Sequence, residues 1–142
     1  MKTIKSYLML LVLVVSMAAG AKAQVLRDAD FSAIGRISPN GMVRDAAAHS
    51  LGSFEPDGTV KDKAGNVVGR INRLEIFDAQ GERVGYINTD GTVRTGESNV
   101  LGNINISDGK VTDAEHRVLG YARGIRVDWI ACYFFFEFFK NN

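Results

Sequence analysis

The sequence predicts an all-β protein of tandem short β-hairpins arranged radially, as a propeller-like or flower-like ring, with an aromatic C-terminal segment packed on the core. Two observations carry this fold class. Glycines recur at positions 35, 52, 69, 85, 102 and 120, in steps of 17, 17, 16, 17 and 18 residues, and near-constant spacing of this kind marks a repeat architecture. No window in residues 25–128 keeps a 3.6-residue apolar rhythm with caps at both ends, so helices are not expected there.

Each repeat glycine follows an apolar residue, and the position two beyond it is usually apolar, as in Ile34-Gly35-Arg36-Ile37 and Val68-Gly69-Arg70-Ile71. Six residues before that first apolar residue stands Asp28, Asp45, Asp62, Asp78 or Asp113, with Thr95 taking the place once. Two residues earlier again come the β-branched Val43, Val60, Ile76, Val93 and Val111. Asn40-Gly41, Asp57-Gly58, Asp90-Gly91 and Asp108-Gly109 separate the units, and such pairs favour reversals because both residues tolerate positive φ. A second reversal falls inside each unit, clearest at Ala64-Gly65-Asn66 and Gln80-Gly81-Glu82. A unit is therefore two strands of four or five residues with two turns. Ala46-Ala47-Ala48 belongs to a turn, since three alanines do not nucleate a helix. Asn72-Arg73-Leu74 breaks the pattern in a unit one residue short.

Strands this short are not stable alone and must share an apolar interior with their neighbours. A glycine within a strand marks a bulge, a bend or a close backbone approach, and repeating the bend curls the meander. Closure into a ring is favoured because it hides the edge strands, although a short solenoid satisfies the same pattern. The tail Ile130-Ala131-Cys132-Tyr133-Phe134-Phe135-Phe136-Glu137-Phe138-Phe139 is too apolar to leave in water. A strand or helix plugging the ring axis is its expected role, with a subunit interface and a membrane contact as alternatives.

The first residues carry a different message. Lys2 and Lys5 precede the apolar run from Tyr7 to Val15, and Ala21-Lys22-Ala23-Gln24 follows. A basic start, a short apolar stretch and an Ala-x-Ala site predict a cleavable signal peptide over residues 1–23 and a single repeat domain over 24–142. Cleavage removes three of 17 basic residues and leaves 14 against 16 acidic ones. No positive stripe is apparent, so nucleic acid is not an expected partner, and no transmembrane segment is expected in the mature chain. Cys132 is the single cysteine, reads as a buried small hydrophobe, and excludes an intrachain disulfide.

The recurring aspartates read as turn caps rather than metal ligands, because each comes alone in its unit and precedes a turn. His49 and His116 read as exposed turn residues. No Gly-x-Ser-x-Gly setting or phosphate-binding glycine run is present, so neither enzyme activity nor a cofactor is expected. Arg36, Arg70, Tyr86 and Tyr121 each follow a repeat glycine and are the candidate ligand-binding residues, suited to a glycan or peptide. The expected role is that of a non-catalytic structural or assembly protein of the cell envelope, in the periplasm, at the cell surface or secreted. The alternative is a binding module, with a glycan, a peptide or another envelope protein as partner.

The whole mature chain resembles the five-fold β-flower proteins, small exported proteins of Bacteroides-like bacteria. The residues that carry the resemblance are Asp57-Gly58-Thr59-Val60-Lys61-Asp62-Lys63-Ala64-Gly65-Asn66-Val67-Val68-Gly69-Arg70-Ile71, whose opening returns at Asp90-Gly91-Thr92-Val93-Arg94. The resemblance implies hairpins set radially about a central axis and brings no established activity. Five-fold symmetry asks for five blades where the chain has six glycine-centred segments. Either the first and last segments join in one blade, or one unit is irregular, and residues 72–76 are the expected corner.

Overall fold

The structure, a computed structural model, describes residues 24–139; the predicted signal peptide and the terminal Lys140-Asn141-Asn142 lie outside the described residues. Within them the chain forms six β-hairpins: β1 (Gln24–Asp28) with β2 (Ala33–Ile37), β3 (Met42–Asp45) with β4 (Ser50–Phe54), and β5 (Thr59–Asp62) with β6 (Val67–Asn72). The series continues with β7 (Glu75–Asp78) and β8 (Arg83–Ile87), β9 (Thr92–Thr95) and β10 (Val100–Ile104), and β11 (Lys110–Asp113) and β12 (Val118–Tyr121). Each strand pairs antiparallel with its chain neighbours, and β1 pairs with β12, so the sheet closes into a barrel. Closure leaves no edge strand, which settles the choice between ring and solenoid.

Register explains the repeat. Within each hairpin the branched residue of the first strand faces the glycine of the second, as in Leu26 with Gly35, Val43 with Gly52 and Val60 with Gly69. Between hairpins, the residue two past the glycine faces the next branched residue, as in Ile37 with Val43, Ile71 with Ile76 and Ile104 with Val111. The two sets form a belt around the interior, with Leu26, Val43, Val60, Ile76, Val93 and Val111 fully buried. Each such side chain contributes about 1.5–3 kcal/mol by leaving water.

The apolar residue before each glycine has another role. Leu26 faces Gly35 while Arg27 faces Ala33, so Ile34 is an extra residue, a β-bulge. The same slip leaves Leu51, Val68, Val84, Leu101 and Leu119 unpaired in their hairpins. These residues are half-buried and pack against the edge of the core.

The turns inside the hairpins share one design and form one rim of the barrel, called here the aspartate rim. Asp28, Asp45, Asp62, Asp78 and Asp113 each use Oδ1 to accept the backbone N–H two and four residues ahead, at 2.9–3.0 Å. In the sixth turn Thr95 Oγ1 accepts the Asn99 N–H at 3.1 Å. Every such turn needs a left-handed residue three beyond the cap, occupied by Phe31, Ala48, Gly65, Gly81, Ser98 and His116. At the opposite, linker rim, the short unit closes through a tight turn at Arg73-Leu74, with Arg73 at φ 58° and Asn72 paired to Glu75. The irregular corner is thus a tighter hairpin that keeps its place in the ring.

Two predictions follow from the turns. Ala48→Gly removes a left-handed penalty of about 1–2 kcal/mol less the entropy of the added glycine, for a net stabilisation of about 0.5–1 kcal/mol. Gly65→Ala costs a similar amount although nothing lies within 4 Å of the added methyl group, so the loss is one of backbone conformation. Urea denaturation of both variants measures the pair.

Backbone N–H groups hold four carboxyls below their usual pKa: His49 N–H for Asp45, Thr59 N–H for Asp57, Asn66 N–H for Asp62 and Thr92 N–H for Asp90. A carboxyl depressed on folding contributes stability that is complete above its unfolded pKa, about 3.9, and is lost as pH falls through the folded value. Melting temperature should hold from about pH 7 to pH 5 and decline below about pH 4. Asp62→Asn keeps the turn acceptor and should make that acid decline shallower.

Candidate functional site

The interior of the barrel is filled by the C-terminus. After β12 the chain turns at the linker rim and enters helix α1 (Val127–Phe134), about 12 Å long. Ile130, Ala131 and Cys132 on this helix are buried in the same cluster as the strand belt. Burial pushes the Cys132 thiol well up, with the charge of Asp128 adding to the effect, so the sulfur stays protonated and packs as an apolar group.

Beyond the helix the tail circles the axis and places one aromatic ring against each repeat glycine. Tyr133 meets Gly35, Phe134 meets Gly120, Phe135 meets Gly102, Phe136 meets Gly85, Phe138 meets Gly69 and Phe139 meets Gly52. That sequence visits β2, β12, β10, β8, β6 and β4, one full circuit against the direction of the strands. Glu137, exposed and at φ 59°, is the single residue stepped over. The glycines are required by this seating. A methyl group on Gly69 would stand 2.6 Å from Phe138 Cζ and 2.7 Å from the Phe77 carbonyl oxygen, and one on Gly102 would stand 2.7 Å from Phe135 Cε1. Phe139 is buried, whereas Tyr133, Phe134, Phe135, Phe136 and Phe138 remain half-buried beneath the aspartate rim.

At the linker rim a cavity of about 250 Å³ lies between the turn at Glu55–Gly58, the Asn72-Arg73 turn and the start of α1. Phe54 stacks on Trp129 with 5.0 Å between centroids and 6° between planes, and the Arg126 guanidinium carbon lies 4.8 Å from the centre of the same indole. Arg126 also donates two hydrogen bonds to the buried Asp128 carboxylate, at 3.1 and 2.6 Å. Asp128 accepts the Trp129 N–H at 2.9 Å, satisfying a donor of the first helical turn. The indole is therefore a structural pivot for the plug, held by a ring and a cation. Sequence reasoning missed this mouth, although Arg-x-Asp-Trp just after the last repeat is visible as a compact polar and aromatic cluster.

Arg36, Arg70, Tyr86 and Tyr121 occupy equivalent positions on the outer wall, beside inward-facing glycines. The ring spaces them out. Arg36 and Tyr121 flank β1, and Arg70 and Tyr86 flank β7, each couple two strand spacings apart and offset by two residues along the strand between them. Arg70 borders a groove of about 310 Å³ with Phe77 and Asn72. Tyr121 borders another of about 280 Å³, where its ring meets Phe31 edge-on at 5.2 Å. Tyr86 donates its hydroxyl to Ser98 at 2.8 Å, with Arg83 lying over its ring. Arg36 faces Arg44 on β3. His49 and His116 are exposed in their turns, and no group of three or more metal-ligating side chains comes together among the described residues.

A family model described as 5-fold beta-flower protein matches residues 20–139. The chain belongs to the 5-fold beta-flower family. No curated protein and no solved structure matches it. Among its described residues this beta-flower protein has six hairpins, each with its own glycine and its own aromatic partner. The first and last strands do join, but they close the barrel without merging two units into one.

The seating of rings on glycines has a direct test. Gly69→Ala in this beta-flower protein should cost about 1–3 kcal/mol through overpacking. Phe138→Leu in the same background should recover part of that loss, giving a non-zero coupling in a double-mutant cycle read by urea denaturation. Additive effects would show that ring and glycine do not meet.

Proposed function

We propose that this beta-flower protein is exported and acts as a non-catalytic structural or assembly element of the cell envelope. The observation that supports it best is how the polar side chains are used. In five of the six inner turns a carboxylate is committed to two backbone N–H groups, and the buried acid Asp128 is paired with Arg126. The groups that would do chemistry are thus used in holding turns and plug. A structural role also suits a closed sheet with a filled axis, which resists opening and offers no strand edge to chance partners.

Export is supported by the composition of residues 1–23, with their basic start, short apolar run and Ala-x-Ala end. Among the described residues no helix is long and apolar enough to cross a membrane. The barrel strands, of four to six residues, are shorter than the roughly nine that a bilayer-spanning strand needs, and their outer faces carry Arg36, Arg44 and Arg70. The half-buried aromatic rings under the aspartate rim are the surface suited to meeting another envelope protein.

Expression of the full precursor, followed by fractionation and N-terminal sequencing, tests the reading. The expected product begins at Gln24 and leaves the cytoplasm. Native electrophoresis of the envelope fraction should then show it in a species larger than the monomer. An unprocessed cytoplasmic product would overturn export, and a free monomer under all extraction conditions would overturn assembly.

A further inference from the structure

The six-fold repeat supplies its own comparison for one feature of the outer wall. Each hairpin places an outward residue beside its glycine, and a partner faces it from the neighbouring strand. The facing couples are Ser53 with Lys61, Arg70 with Phe77, Tyr86 with Arg94, Asn103 with Thr112 and Tyr121 with Arg27. None of them sets like charges together. The remaining couple is Arg36 with Arg44, two guanidiniums directly opposite each other on β2 and β3. Like charges so placed destabilise a sheet.

Three other wall cations are occupied. Arg94 donates to Asn88 Oδ1 at 2.8 Å and to the Ser98 carbonyl at 2.9 Å, Arg27 donates to the Phe31 carbonyl at 3.0 Å, and Lys61 lies 3.6 Å from Glu55. Arg36 and Arg44 have no hydrogen-bond or ion-pair partner among the described residues. Asp45, next in the chain, already accepts the Ala47 and His49 N–H groups. Val25 stands opposite Arg36 on β1 and Ser50 opposite Arg44 on β4, so neither flanking strand supplies a facing carboxylate.

We propose that Arg36 and Arg44 form a binding site for the acidic group, carboxylate or sulfate, of an anionic polysaccharide. Two adjacent guanidinium forks present parallel donors to one oxyanion, whose charge removes the repulsion between them. A polysaccharide fits better than nucleic acid. Single-stranded nucleic acid is held by aromatic rings that stack its bases beside a continuous positive groove, whereas the strands flanking this pair place Val25 and Ser50 at its level. A closed sheet also denies a peptide the edge along which extended chains usually add. The site does not depend on the envelope role proposed above, since it concerns what the wall binds in solution.

Titration of the purified protein at low salt against heparin, polygalacturonate, neutral dextran and a single-stranded oligonucleotide tests the site. The expected result is binding to at least one acidic polysaccharide and none to dextran. Heparin alone would mark sulfate as the recognised group, and polygalacturonate alone would mark carboxylate. The double variant Arg36→Gln, Arg44→Gln should lose about tenfold or more in affinity while melting at or above the parent temperature, since the repulsion between the two charges goes with them. Lys110→Gln, which removes an exposed wall cation on β11, should leave affinity unchanged. No binding to either acidic polysaccharide, an equal loss with Lys110→Gln, or equal or tighter binding of the oligonucleotide would overturn the proposal.

Discussion

Everything in this barrel depends on six positions without side chains that face the axis, each filled by an aromatic ring from the tail. Twelve short strands can close a ring, but closure leaves an interior wider than the branched belt fills. The helix takes the middle of that space, and the six rings take the level of the glycines. Side chains at those positions would compete with the rings for the same volume. The spacing of the glycines and the aromatic tail are two halves of one packing requirement.

Much of the fold was legible because turns and period act locally. The Asp and Asn-Gly signals mark reversals wherever they occur, and the 17-residue step survives one deletion and one insertion. The recurring aspartates were readable as turn caps for the same reason, and the structure gives five of them the same pair of backbone donors. The match of rings to glycines was harder to see, since it joins residues up to about a hundred positions apart in reverse order. One signal was available: the tail from Tyr133 to Phe139 holds six aromatic rings, one for each repeat glycine.

The wall is a different case. Alternation placed Arg36, Arg70, Tyr86 and Tyr121 on one class of outward position, but their separation is set by strand order and closure, which no local pattern contains. Arg44 drew no attention in sequence because it lies in the other strand of its hairpin, and only register brings it opposite Arg36. The Trp129 mouth was hidden for a similar reason. Its partners Phe54 and Arg126 come from the second hairpin and the last loop, and meet only once the helix lies inside the ring.

The position of the filling residues in the chain bears on how the molecule is made. Strands β1 to β12 all leave the ribosome before Phe134 to Phe139 do, so during synthesis the barrel exists only as an unfilled ring of weak hairpins. Cooperative packing must wait for these rings, and a premature stop before Tyr133 would leave all twelve strands around an axis without them.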